Sequence, residues 1–120
     1  MTEATTSALT LTIGIDLGDR KSHVCVLDAA GEVVEESRIT TTPKAMRPRF
    51  ENLTPTRIAL EVGGHSAWVS ELLKELGHEV IVANARKLRM IFQNDSKNDR
   101  LDAEQLARVA RMDPKRPKRQ

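Results

Sequence analysis

The sequence is poor in cysteine and in aromatic residues. Its 120 residues include one cysteine, one tryptophan, two phenylalanines and no tyrosine. The single cysteine, Cys25, excludes an intramolecular disulfide and favours a reducing compartment. Three aromatic side chains are too few for a nucleic-acid surface built from stacked bases.

Long apolar runs are also missing. No segment approaches the roughly 20 apolar residues that span a membrane, and residues 1–8 lack the basic start and apolar centre of a signal peptide. We therefore expect a cytoplasmic protein. Its length allows one domain with a single core, which we place at residues 9–112, between a disordered amino terminus (1–8) and a basic linker or truncated end (113–120).

Two short apolar segments carry an acid near their carboxyl ends. In Leu11–Gly18 and in Arg57–Val62, bulky residues alternate with small ones, and Asp16 and Glu61 fall on the small side. This alternation predicts two strands, each with one bulky face and one sparse face. If the strands lie parallel and adjacent, both carboxylates meet at the edge of the sheet where open α/β folds bind ligands.

Two more acids, Asp99 and Asp102, open a segment whose apolar residues fit a helix running to Arg111. A spacing of three places both on one side of that helix. They could simply stabilise its start, with Asp99 as the N-cap and Asp102 in the first turn. Together with Asp16 and Glu61 they also suit one or two Mg²⁺ or Mn²⁺ ions, because hard cations prefer carboxylate oxygens. Two ions about 4 Å apart support phosphodiester chemistry.

Charge is divided unevenly along the chain. Residues 1–83 carry a net charge of −4 and residues 84–120 a net charge of +6. A positive region attracts a polyanion such as nucleic acid, although Lys and Arg often only solvate a helix. The candidate nucleic-acid-binding residues are Lys21, Arg86, Lys87, Arg89, Lys97 and Arg100.

The remaining pattern predicts the order βββαβαβαα. Strands are expected at 9–17, 22–27, 33–40, 57–62 and 78–83, and helices at 43–53 with a break at Pro48, from a cap at Ser66 to Gly77, and at 84–92 before the helix that follows Asp99. Three strands in a meander, followed by two strands after helical crossovers, give an α/β fold with a five-stranded mixed sheet and flanking helices. In this ribonuclease H-like arrangement the first and fourth strands are neighbours, so Asp16 and Glu61 become adjacent.

Several motifs together resemble one family. Four segments are similar, in this order, to motifs of the DEDD insertion-sequence transposases of the IS110 family. They are Ile13-Gly14-Ile15-Asp16, Ala59-Leu60-Glu61 with its glycine pair, Leu72-Leu73-Lys74-Glu75-Leu76-Gly77 and Lys97-Asn98-Asp99-Arg100-Leu101-Asp102-Ala103. The resemblance covers about residues 12–111. Asn98 and Ala85 depart from the usual threonine and a frequent proline, but no acid is missing.

This resemblance implies a RuvC-like domain in which Asp16, Glu61, Asp99 and Asp102 bind Mg²⁺ and act in DNA strand cleavage and exchange. It also implies DNA as a partner, a structured guide RNA in some members, and a homo-oligomer in the full-length form. Family members continue into a second domain with a nucleophilic serine. We therefore expect this chain to hold the metal site but to be incomplete as a recombinase.

Two other functions fit parts of the sequence. Ile13–Gly18 also resembles the first phosphate-binding turn of actin-like ATPases and sugar kinases, and the basic half alone would suit a non-catalytic module for nucleic-acid binding or dimerisation. His23, His65 and His78 are too scattered to predict a metal cluster, so a surface or loop role is expected for each.

Overall fold

The computed structural model of the protein describes residues 10–84 and 101–112. These residues form five strands and three helices: β1 (Thr12–Asp16), β2 (Lys21–Leu27), β3 (Val33–Thr40), α1 (Pro43–Glu51), β4 (Arg57–Glu61), α2 (Ser66–Glu75), β5 (Glu79–Ala83) and α3 (Ala103–Met112). Apart from Asn84, the helix predicted at 84–92 lies outside the described residues. The predicted order of the other elements is confirmed.

The strands form one mixed sheet in the order β3-β2-β1-β4-β5. β1 pairs antiparallel with β2 and parallel with β4, and β5 pairs parallel with β4. The pairing of Ile15 with Leu60 brings the ends of β1 and β4 to the same edge of the sheet. The predicted five-stranded ribonuclease H-like fold, with the first and fourth strands as neighbours, is therefore confirmed.

The two faces of the sheet differ in side-chain size, as the alternation predicts. On one face, bulky side chains of β1 and β4 are buried with residues of α1 and α2, among them Ile13, Leu60, Phe50 and Leu73. The other face is lined by Gly14, Ala59 and Cys25, and there α3 packs directly on the sheet. Asp16 and Glu61 follow Gly14 and Ala59 by two residues each, so they lie on the α3 face.

Gly14 allows α3 to approach the sheet closely. A Cβ atom at this position would overlap the backbone carbonyl of Ala103 and the amide nitrogen of Ala107. The far end of α3 is held by side chains. Arg57 donates a hydrogen bond to the Ala110 carbonyl at 2.8 Å, and Arg108 and Arg111 donate to carbonyls of the β2–β3 turn at 3.1 and 3.0 Å. The helix is thereby fixed over its whole length.

Helices α1 and α2 differ from the prediction at Pro48 and at Ser66. α1 runs through Pro48 without a break. Because proline has no backbone N–H, the carbonyl oxygen of Lys44 loses its hydrogen-bond partner within the helix. Both residues are exposed, so water can donate to that oxygen instead. Ser66 does not cap α2 but is its first residue, and its hydroxyl hydrogen-bonds back to the Gly63 carbonyl at 2.9 Å. The C-terminal end at Gly77 is as predicted, since this residue has φ +97°.

Of the surface or loop role predicted for His78, the loop position is confirmed, since the residue lies between α2 and β5, but its side chain is buried rather than on the surface. The backbone N–H of Thr56 donates to its Nδ1 at 3.1 Å, and its Nε2 lies 2.9 Å from the Phe50 carbonyl oxygen. Because Nδ1 accepts a hydrogen bond, the ring proton must be on Nε2. His78 thus joins the start of β4 to the end of α1 and has a structural role.

Within the two described ranges, no helix is long and apolar enough to cross a membrane.

Candidate metal centre

Asp16 and Glu61 are the last residues of two adjacent parallel strands, and both are half-buried. They line one cleft of about 280 Å³ together with Asp19, His65 and the intervening loop residues. Strand pairing therefore brings these two predicted site residues to a common opening, as the sequence predicts. Two carboxylates at such an edge repel each other unless a cation or hydrogen-bond donors lie nearby.

Glu61 also contacts the segment that leads into α3. Its Oε1 accepts a hydrogen bond from the backbone N–H of Leu101 at 3.2 Å, although the two residues lie 40 positions apart. Leu101 itself is buried and belongs to the small apolar cluster under α3. The side chain of Glu61 therefore holds the start of α3 against the end of β4.

Asp102 caps α3. Its Oδ1 accepts the Gln105 backbone N–H at 2.8 Å, and its own N–H donates to Gln105 Oε1 at 2.9 Å, which is a reciprocal capping box. The predicted helix start at Asp99 is therefore wrong: the helix begins at Ala103, and the cap role considered for Asp99 falls to Asp102. Capping occupies one oxygen, and a carboxylate has further acceptor sites.

Asp16 and Asp102 line a second cleft, of about 640 Å³, between the amino end of α3 and strands β2 and β3. Asp16 thus borders both clefts, with Glu61 on one side and Asp102 on the other. Asp99 lies outside the described residues. Among the residues that are described, no three His, Cys, Asp or Glu side chains form a group that could hold a metal ion. The three acids surround one edge of the sheet without closing a coordination sphere.

Comparison with known proteins bears on this arrangement. The family model DEDD_Tnp_IS110, described as a transposase, matches residues 13–119. The chain belongs to the IS110 family of DEDD transposases. No curated protein gives a significant match. The resemblance carried by the sequence motifs is therefore confirmed, and with it a transposase-type enzyme, for which DNA is the expected partner and a divalent metal the general requirement.

A histidine also lies at the site of this transposase, although the spacing of the histidines in the sequence does not predict it. His65 lines the same cleft as Asp16 and Glu61. Its Nδ1 accepts a hydrogen bond from Trp68 Nε1 at 3.0 Å, and its Nε2 lies 3.4 Å from Asp19 Oδ1. The sequence signal that could have found it is position, because His65 follows Glu61 by four residues in the short loop that contains the glycine pair.

Among the predicted nucleic-acid-binding residues of the transposase, Lys21 is the one that the structure describes. It is the first residue of β2, it is exposed, and its Nζ donates to Thr40 Oγ1 at 3.0 Å. The others lie outside the described residues: Arg86, Lys87, Arg89, Lys97 and Arg100.

Cys25 lies under α3, in contact with Ala103 and Ala107. Burial raises the pKa of its thiol to about 11, and the negative charges of Glu36 and Glu104 act in the same direction. Because the thiolate is the reactive form, we expect native protein to react only slowly with an aromatic disulfide reagent at pH 8. Protein unfolded in urea should react rapidly. Equal rates before and after unfolding would contradict the buried position of this thiol.

Proposed function

We propose that Asp16, Glu61, Asp99 and Asp102 bind one or two Mg²⁺ or Mn²⁺ ions and act in DNA strand cleavage and exchange during transposition. The observation that carries this proposal is the meeting of Asp16 and Glu61 at the ends of adjacent parallel strands. The hydrogen bond from the Leu101 amide to Glu61 supports it, because it holds Leu101, the residue before Asp102, at the same edge.

The donor set fits a hard cation, since all four side chains offer carboxylate oxygens. When bound, such ions activate the attacking oxygen and stabilise the leaving oxygen of a phosphodiester. The protein would orient the ligands: Glu61 is fixed by the Leu101 amide and Asp102 by the capping box. The positive end of the α3 dipole lies beside Asp102 and lowers the repulsion among the clustered acids.

Further parts of the proposal rest on the family resemblance alone. They are guidance by a structured RNA, assembly of the full-length form as a homo-oligomer, and a serine nucleophile contributed by a second domain. The family match favours the transposase over an ATP-binding fragment. Saturable ATP binding that is lost in Asp16→Ala, without affinity for DNA, would reverse that preference.

Metal titration tests the central proposal. We expect Asp16→Asn and Glu61→Gln each to weaken Mn²⁺ binding at least about tenfold, measured by calorimetry or by the Mn²⁺ paramagnetic signal. Glutamine at position 61 keeps an acceptor for the Leu101 amide, so a loss of affinity reports the missing charge rather than a displaced helix.

Asp19→Asn is the matched control. Asp19 lines the same cleft as Asp16, but its side chain is 98% exposed and belongs to no predicted ligand set. We expect this variant to bind Mn²⁺ almost as the unaltered protein does. If Asp16→Asn and Asp19→Asn have equal effects, the acids act only through their general charge and the proposed site is wrong.

A further inference from the structure

A row of polar side chains extends from Asp16 across the sheet. In the strand register Asp16 lies opposite His23 on β2, and His23 lies opposite Arg38 on β3. Residues directly opposite each other share a face, so all three are on the α3 face. Lys21 is on the same face, two residues before His23 along β2. We call Lys21, His23 and Arg38 the basic strip.

The basic strip is open to solvent. α3 covers Cys25, which lies two residues after His23 on β2. The helix does not cover the strip itself, since all three strip residues are exposed. His23 and Arg38 line the cleft that also contains Asp16 and Asp102. His23 lies one strand from Asp16, and Arg38 lies two strands from it. Neighbouring strands are about 5 Å apart, so the backbone at Arg38 is roughly 10 Å from the backbone at Asp16.

Within the described residues no carboxylate lies at ion-pair distance from Lys21 or Arg38, although Glu36 lies two residues before Arg38 on β3 and lines the same cleft. In contrast, four other arginines pair with glutamates: Arg47, Arg49, Arg57 and Arg108. An exposed guanidinium offers a planar pair of donors that suits a phosphate, a lysine adds a point charge and a histidine adds a ring N–H. This combination recognises a polyanion with repeated phosphates.

We propose that the basic strip binds the phosphodiester backbone of DNA and leads it to the Asp16 end of β1. This inference rests on the proposed function, because it names the surface by which DNA reaches the same acids. Glu36, opposite Cys25, and Glu104 line the inner part of the cleft beside α3. Their charges repel phosphate, so the backbone is confined to the outer part of the cleft, along the strip.

Binding of a labelled DNA duplex, followed by fluorescence anisotropy over a range of salt concentrations, tests the strip. We expect the double variant Lys21→Gln with Arg38→Gln to bind on the order of tenfold more weakly at low salt. The slope of log affinity against log salt should fall by about two, because two phosphate contacts are lost. Both side chains are exposed, and thermal melting checks that the fold is retained.

The matched control is Lys44→Gln with Lys74→Gln. These exposed lysines belong to α1 and α2, on the opposite face of the sheet, and their replacement removes the same charge. We expect a change below about twofold, since salt screens distant charges. Glu36→Gln should strengthen DNA binding. Three results would overturn the proposal. They are equal losses of DNA affinity in the two double variants, no DNA binding by the unaltered protein, and a loss of affinity that is confined to single-stranded RNA of the same sequence.

The same variants separate this inference from the proposed function. Lys21 and Arg38 are not ligands in the proposed metal site, so the strip variant should keep the Mn²⁺ affinity of the unaltered protein. If the four acids prove not to bind metal while the strip variant still loses DNA affinity, the proposed function is wrong and the DNA-binding surface stands. If the four acids bind metal while the strip variant keeps its DNA affinity, the metal site stands and the basic strip is wrong.

Discussion

Gly14→Ala is expected to displace α3 from the sheet. The new methyl group would occupy the space of the Ala103 carbonyl and the Ala107 amide, which are backbone atoms and cannot rotate away. The helix must therefore shift or detach, although Arg57 and the β2–β3 turn hold its other end. Overpacking of this kind, together with lost burial of Leu106, should destabilise the protein by roughly 3 kcal/mol or more.

Thermal unfolding and the reactivity of Cys25 measure the two consequences of this substitution. A loss of about 3 kcal/mol lowers the melting temperature by roughly 10 °C in a domain of this size. Cys25 packs against Ala103 and Ala107, so movement of α3 exposes its thiol, and this is the single cysteine of the chain. We expect the thiol of native Gly14→Ala protein to react much faster than that of the unaltered protein.

Gly64→Ala provides the control for the glycine substitution itself. A Cβ atom at position 64 meets no other atom within 4 Å, and the residue lies in the loop before α2. We expect its melting temperature and its Cys25 reactivity to stay close to those of the unaltered protein. Should Gly14→Ala behave in the same way, the close contact between β1 and α3 would be contradicted.

The sequence predicts the sheet and the position of two acids well, because strand faces depend on a local period of two residues. The bulky and small faces around Asp16 and Glu61 follow directly from that period, and chain order then makes their strands neighbours. The contact between Gly14 and α3 depends on residues about 90 positions apart, and a period within one strand carries no information about it.

Helix boundaries were less predictable, because several polar residues compete for the same cap. Asp99 and Asp102 are both suitable N-caps, and what distinguishes them is Gln105, three residues after Asp102, which completes the capping box. Ser66 is an equally suitable N-cap by residue type, yet its hydroxyl bonds to Gly63 instead. His65 was missed as a cleft residue because the spacing of the three histidines says nothing about the loop after Glu61, which brings this residue to the cleft.

Asp102 serves as the cap of α3 and is a proposed metal ligand, and two substitutions separate these roles. Asp102→Asn keeps an oxygen that accepts the Gln105 amide, so the stability of α3 should change by less than about 0.5 kcal/mol. It removes the negative charge that would hold the cation. Because bound metal contributes several kcal/mol to transition-state stabilisation, we expect Mg²⁺-dependent DNA strand cleavage, measured with the proposed second domain present, to fall by roughly 10³-fold.

Gln105→Ala reverses this pattern, since it removes the acceptor for the Asp102 amide but leaves the carboxylate. We expect a lower melting temperature, corresponding to about 1 kcal/mol, with cleavage largely retained. Asp102→Ala should lose both the cap and the cleavage. If Asp102→Asn cleaves DNA as fast as the unaltered protein, Asp102 is only a helix cap. The proposed site would then reduce to Asp16, Glu61 and Asp99, with α3 fixing its geometry but supplying no ligand.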